Sequence, residues 1–153
     1  MTPAIDLLRR NGIEHAVLTY DSAGADFGRE AAVELGLTMS EVFKTLVVDA
    51  DGRFAVAVVP VAATLSLKAM AAALAAKRVT MADVARAERA TGYVAGGISP
   101  IAQRRQLPTV VDSSVEALST VHISGGRRGV EIALAPDDLI ALVAATLAPI
   151  AAG

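Results

Sequence analysis

About seven short β-prone runs interleaved with four or five helical patterns predict an α+β fold with a mixed or antiparallel sheet. Two observations carry this. The run VFKTLVV, the turn DADG and the run FAVAVV read as one hairpin, and Thr120–Ser124 and Val130–Leu134 read as a second one across a glycine-rich turn. Hairpins favour an antiparallel or mixed sheet over a doubly wound one. The chain has 153 residues, which predicts one domain, 1–153, with a proper core. Apolar residues make up 54% and aromatics 3%, so that core is built from alanine and valine.

In chain order, Thr2 caps a first helix with Pro3 at its first position, Ile5 and Leu8 face inward, and Asn11-Gly12 stops it. Ile13–Tyr20 alternates as a strand. A loop over Asp21–Ala25 leads to a helix over Phe27–Leu35, with Asp26 as cap and Gly36 as terminator. The first hairpin follows and ends at Pro60. Ser66 caps a helix over Leu67–Ala75, Lys77–Val79 reads as a short strand, and Ala82–Ala90 as a helix. Gly92 closes that helix, and Tyr93–Ala95 reads as a very short extended piece. Thr109–Asp112 is the next strand, and Pro136, with Asp137 and Asp138 in the first turn, opens a last helix.

Composition narrows the function. The net charge of −2 argues against binding nucleic acid over the whole surface and leaves room for a local basic cleft. Without cysteine there is no disulfide, thiolate nucleophile or zinc–thiolate site. No apolar run approaches a membrane span, and Asp6, Arg9 and Arg10 interrupt the only signal-peptide candidate, so the expectation is a cytoplasmic protein with no membrane partner. His15 and His122 stand in no triad or metal spacing, and no Walker or dinucleotide loop is present, so neither a metal nor a cofactor is expected.

Three stretches stand out. TGYVAGGISP, Thr91–Pro100, carries Gly96 and Gly97, which suit either an ordinary turn or a loop that offers amides to a ligand oxygen. Lys44 shares a strand face with Val42, Leu46 and Val48; it is either an edge-strand lysine that discourages strand addition or a cation lining a pocket. The turn Ser124–Gly129 holds Arg127 and Arg128, and Arg104 and Arg105 follow the first glycine loop. Each pair is either a solvated cluster or part of one basic rim that suits phosphates.

Taken together, these motifs resemble the family of YbaK and prolyl-tRNA-synthetase-associated editing domains. The resemblance covers nearly the whole chain: the MTPA start, VFKTLVV with Lys44, VAVVPV, MAD followed by TGYVAGGISP, RRQLPTVVD and SGGRRGVEI. It implies a largely antiparallel, barrel-like sheet flanked by helices, with a cleft for the 3′ end of an aminoacyl-tRNA. It implies that Lys44 binds the terminal nucleotide and that Gly96, with Gly97, Ile98, Ser99 and Pro100, forms the family's GxxxP loop against the aminoacyl group. Lys44 and Gly96 are then the catalytic positions. Tyr20, Thr45, Ser124, Gly125, Gly126, Arg127 and Glu131 join the loop as substrate-binding positions. Phe43 stands where tyrosine is frequent in such proteins, and Glu131 where aspartate is. The implied activity is trans-editing hydrolysis of Cys-tRNA(Pro), with the substrate's own thiol as nucleophile. The implied partners are the 3′ end of proline tRNA and prolyl-tRNA synthetase in a ternary complex, with no DNA. Deacylation of Ala- or Ser-tRNA, and a non-catalytic module that binds a tRNA 3′ end or a synthetase, are the alternatives.

Overall fold

The computed structural model describes the backbone of residues 1–21 and 27–153, with their side chains apart from that of Phe27. The expected loop past Asp21 and the expected cap Asp26 lie outside the described residues. Helix α1 (Pro3–Arg10) starts as its sequence dictates, with the Thr2 hydroxyl accepting from Ile5 N at 3.2 Å. The same hydroxyl donates to Gly125 O and so ties the N-terminus to the second hairpin tip. Strand β1 (His15–Thr19) is shorter than expected, because Ile13 N donates back to Leu8 O at 3.0 Å and finishes the helix instead. Helix α2 (Phe27–Leu35) stops at Gly36, whose φ of 67° only glycine adopts readily.

Strands β2 (Phe43–Ala50) and β3 (Arg53–Pro60) form the expected hairpin, closed by Asp51 and Gly52, both at positive φ, and by Gly52 N donating to Asp49 Oδ1. Then follow β4 (Thr64–Leu65), helix α3 (Leu67–Leu74) capped by Ser66, β5 (Val79–Met81) and helix α4 (Val84–Thr91) capped by Asp83. The short strand β5 sits two residues later than the sequence suggests. Lys77 N and Arg78 N are held by the Asp51 carboxylate at 2.8 and 2.9 Å, so pairing with β2 begins only at Val79. Tyr93–Ala95 is not extended; it is a turn in which Gly97 N reaches Val94 O at 2.8 Å. The chain closes with β6 (Thr109–Asp112), a 3-10 turn, β7 (Val121–Ser124), β8 (Val130–Leu134), helix α5 (Pro136–Val143), β9 (Thr146–Ala148) and β10 (Ala151–Ala152).

The mixed α+β class holds, but the sheet is neither a closed barrel nor limited to seven strands. Among the described residues the strands form a five-stranded sheet ordered β5-β2-β3-β6-β9, a three-stranded sheet β1-β8-β7 and a pair β10-β4. Parallel pairing of β6 with β3 and β9 makes the large sheet mixed. Besides their shared core, the two larger sheets are joined by the backbone bridge of Val42 to His122, with His122 N donating to Glu41 O at 3.0 Å. Closure fails along β2. Its pairing with β5 covers only Val48–Ala50, and the bridge to β7 only Val42, so among the described residues one edge of Phe43–Leu46 has no pairing strand.

Strand β3 lies buried on both faces, which is why FAVAVV is an unbroken apolar run. Val56 and Val58 enter one core with Leu8, Phe43, Ile101, Ile123 and Ile132, while Ala55, Ala57 and Val59 enter another with Met70, Val79 and Ile150. These two cores fix both hairpin strands and leave the edge of β2 as the place where a cavity forms. No helix of the described residues is long and apolar enough to cross a membrane.

Candidate active site

The open edge of β2 borders a cavity of about 540 Å³. Its floor is Phe43–Val47, and its walls come from Tyr20, from Ser124 and Glu131 on β7 and β8, from Ala95, Gly96 and Ile98, and from Met81, Val84 and Ala87. Outward backbone bonds along β2 alternate: Glu41 O, Val47 O and Asp51 N reach His122, Ala82 and Arg78. By the two-residue period, Phe43 and Thr45 turn their backbone groups to the same edge, where no strand of the described residues meets them.

The polar groups of this cavity are short of partners. Lys44 is half-buried and, among the described residues, its ammonium makes no hydrogen bond or ion pair. Thr45 Oγ1 and Glu131 Oε2 are fully buried and equally unpartnered. Burial in these apolar surroundings pushes the Glu131 carboxyl up to about 8, so at neutral pH it is mostly protonated. Burial, and next the Glu131 charge, push the Tyr20 hydroxyl above its ordinary value. A buried polar atom without a partner costs free energy, so several of them around one hollow mark it as a place that awaits a polar ligand.

The first glycine loop is rigidly anchored behind the cavity. Ala95 N donates to Glu88 Oε2 at 2.7 Å, and the buried Tyr93 hydroxyl donates to Ile101 O at 2.7 Å. Ser99 is fully buried, its hydroxyl accepting from Ile101 N and its carbonyl from Gln103 Nε2. In front, Gly96 has a φ of 88°, and the amides of Gly96 and Ile98 donate to nothing among the described residues. The loop thus offers unused N–H groups from a fixed frame.

The second glycine turn closes against the first. A Cβ on Gly97 would stand 2.8 Å from Arg127 Cα, and Arg128 Nε donates to Ala95 O at 3.2 Å. A Cβ on Gly125 would meet Val130 Cγ1 at 2.6 Å, and one on Gly126 the Tyr93 ring at 2.8 Å. Register pairs Ser124 with Glu131 directly across the hairpin, so the tip sets the positions of both.

Of the positions singled out in the sequence, the structure brings Lys44, Gly96, Tyr20, Thr45, Ile98, Ser124 and Glu131 to one cavity wall. Gly97, Ser99, Pro100, Gly125, Gly126 and Arg127 are not in that wall; they support it from behind. Of the arginines expected to share one rim, Arg128 donates to Ala95 O in the first glycine loop, whereas Arg105 lines a different groove. Leu46, on the strand face of Lys44, joins an apolar wall whose other members, Met81, Val84 and Ala87, sequence reasoning missed. The spacing of Val84 and Ala87 on one helix face was its only visible signal.

This geometry has close counterparts. A family model described as "Aminoacyl-tRNA editing domain" matches residues 23–142. The chain belongs to the aminoacyl-tRNA editing domain family, and the reaction class is aminoacyl-tRNA deacylation. It is 38% identical, over 112 residues, to an Enterococcus faecalis protein named "Putative Cys-tRNA(Pro)/Cys-tRNA(Cys) deacylase EbsC"; the match spans 72% of this chain and 68% of that one. Among solved structures, the hypothetical protein APE2540 matches with a TM-score of 0.88 at 27% identity, covering 98% of this chain and 99% of that one. A structure described as "a putative trans-editing enzyme for prolyl tRNA synthetase" matches at 0.84 and 21% identity, covering 100% and 99%, and is a likeness of fold.

Proposed function

We propose that this protein removes cysteine from Cys-tRNA(Pro), with the terminal nucleotide held by Lys44 and the aminoacyl ester laid against Gly96 and Ile98. The observation that carries the reading is the gathering, in one cavity, of an unpaired ammonium, unpartnered buried acceptors and unused loop amides. The relative EbsC, named for Cys-tRNA(Pro) and Cys-tRNA(Cys), supports the choice of amino acid.

Each group then has a task. Lys44 meets the negative charge of the nucleotide. Glu131 is neutral while the cavity is empty and ionises when the ammonium of the aminoacyl group arrives, because an adjacent opposite charge favours the carboxylate. Amides of Gly96 and Ile98 stabilise the oxyanion of the tetrahedral intermediate, worth about 3 kcal/mol per donor in well-aligned sites. The chain contains no cysteine, and an aminoacyl ester is already activated. In this reading the nucleophile is the one the family resemblance implies, the substrate's own thiol. Its sulfur bonds to the carbonyl carbon, the bond to the ribose oxygen breaks, and that oxygen takes the thiol proton. The resulting thiolactone opens with water to free cysteine. Such an enzyme is required because a synthetase pocket for proline rejects similar-sized side chains by only one to two orders of magnitude.

A panel of proline tRNA charged with cysteine, alanine, serine or proline tests the reading. Release of cysteine at least tenfold faster than of the others supports it. Faster release of alanine or serine assigns the cavity to that residue, and tRNA binding without turnover on any member rejects the enzyme reading.

A further inference from the structure

We infer a second nucleic-acid contact: the groove beneath the back of α4 binds backbone phosphates of the tRNA near its 3′ end. The groove holds about 670 Å³ and is lined by Arg53, Arg86, Arg89 and Arg105 together with Phe54 and Gln106, and no acidic residue lines it. A chain of net charge −2 thus collects four guanidinium groups at one hollow. Among the described residues none of the four makes an ion pair. Arg86 Cζ stands over the Phe54 ring, 4.9 Å from its centroid, a contact that holds the guanidinium at the groove while its N–H groups have no carboxylate partner among the described residues. Unpaired, planar and partly pre-oriented guanidiniums are what phosphate recognition uses.

Position ties the groove to the cavity. Helix α4 separates them: Val84 and Ala87 face the cavity, while Arg86, Arg89 and Ala90 line the groove. The loop after α4 runs from Gly96 and Ile98 in the cavity to Arg105 and Gln106 in the groove. Along the hairpin, Lys44 and Phe54, which pairs with Asp49, are separated by five positions of β2, roughly 17 Å at 3.3–3.4 Å per residue. Each strand of a duplex advances about 3.4 Å of helix axis per phosphate, and an extended single strand advances further, so that separation spans only a handful of nucleotides. A strand with its end beside Lys44 therefore carries phosphates within range of the arginines. This contact rests on the cavity being the site for the aminoacyl end, and it supplies the tRNA affinity that an acidic surface lacks.

The test is the triple variant Arg53→Gln/Arg89→Gln/Arg105→Gln, which leaves Arg86 on its ring and changes only exposed side chains. On Cys-tRNA(Pro) its KM should rise at least tenfold with kcat kept, and the slope of log K against log salt should shrink by about 2 to 3. Cleavage of the cysteinyl-adenosine fragment, too short to reach the groove, should be unchanged. The corresponding triple lysine variant should keep a salt slope close to that of the parent. Unchanged KM and salt slope on tRNA would overturn the inference. So would a loss of inorganic polyphosphate binding with no change in KM, which would make the groove a general anion site. If the parent protein turns over neither substrate, the cavity reading fails by itself; the groove is then judged by affinity for uncharged tRNA(Pro), where a tenfold loss upholds it and no loss rejects it.

Discussion

The two glycine turns look alike in sequence and do different work in the structure. The turn around Gly96 lines the cavity with amides that donate to nothing in the described protein. The turn around Gly125 faces inward, and its missing side chains admit Val130, Tyr93 and Thr2. Both need glycine, one for backbone conformation beside a hollow and the other for close protein contact. Glycine alone therefore signals that something approaches the backbone, and it does not say whether that is substrate or the protein's own chain.

Four outcomes sharpen or break this contrast. The largest concerns Glu131, placed by the second turn. Its carboxyl keeps in the folded state, up to about 8, a proton that the unfolded chain loses near its ordinary value of 4.5. Unfolding then releases a proton within that window, so the contribution of this carboxyl to stability is greatest below 4.5 and falls as pH rises to 8, by at most about 5 kcal/mol. Denaturant titrations should show this fall, and Glu131→Gln should flatten it; an equal slope in the variant would mean that the carboxyl is not buried as described.

Next is Gly97→Ala. Its new Cβ meets backbone atoms of Arg127 and Arg128, which have no flexible end to move aside, so the two turns must separate. A loss of about 2 to 3 kcal/mol is expected, together with lower deacylation, read by chemical denaturation and by turnover. Gly125→Ala meets the buried Val130 side chain and should lose about 1 to 3 kcal/mol, while kcat of the folded fraction changes little. The smallest stability effect is that of Gly96→Ala, about 1 to 2 kcal/mol for a side chain at a φ of 88°. Its kcat should nevertheless fall at least tenfold. If Gly125→Ala and Gly96→Ala lower kcat alike at equal folded fraction, the division between supporting turn and lining turn is wrong.

The hairpins, caps and helix stops were readable because each depends on local chemistry: Thr2, Ser66, Asp51-Gly52, Gly36 and Gly92 act within a few residues of themselves. Strands β4, β9 and β10 were not, because two or three residues, mostly alanine, leucine and threonine, carry no pattern and are held by tertiary pairing alone. The open edge of β2 was hidden for a related reason. Which part of β2 is covered depends on contacts from other elements: Asp51 holds Lys77 N and Arg78 N, so pairing starts at Val79, and β5 ends at Met81 opposite Val48. In the site, Lys44 was conspicuous as a cation in an apolar run. The roles of Gly125 and Gly126 were opaque because their partners Thr2 and Tyr93 are distant in sequence. Arg53, Arg86 and Arg89 gave no signal at all until the fold set them beside Arg105.

Single-turnover cleavage of Cys-tRNA(Pro), comparing the parent with Lys44→Ala at matched folded fraction, measures most directly whether the unpaired ammonium at the open edge of β2 holds the substrate. The variant should lose at least a hundredfold in rate while its thermal unfolding stays close to that of the parent. A variant that cleaves as fast as the parent would contradict the account.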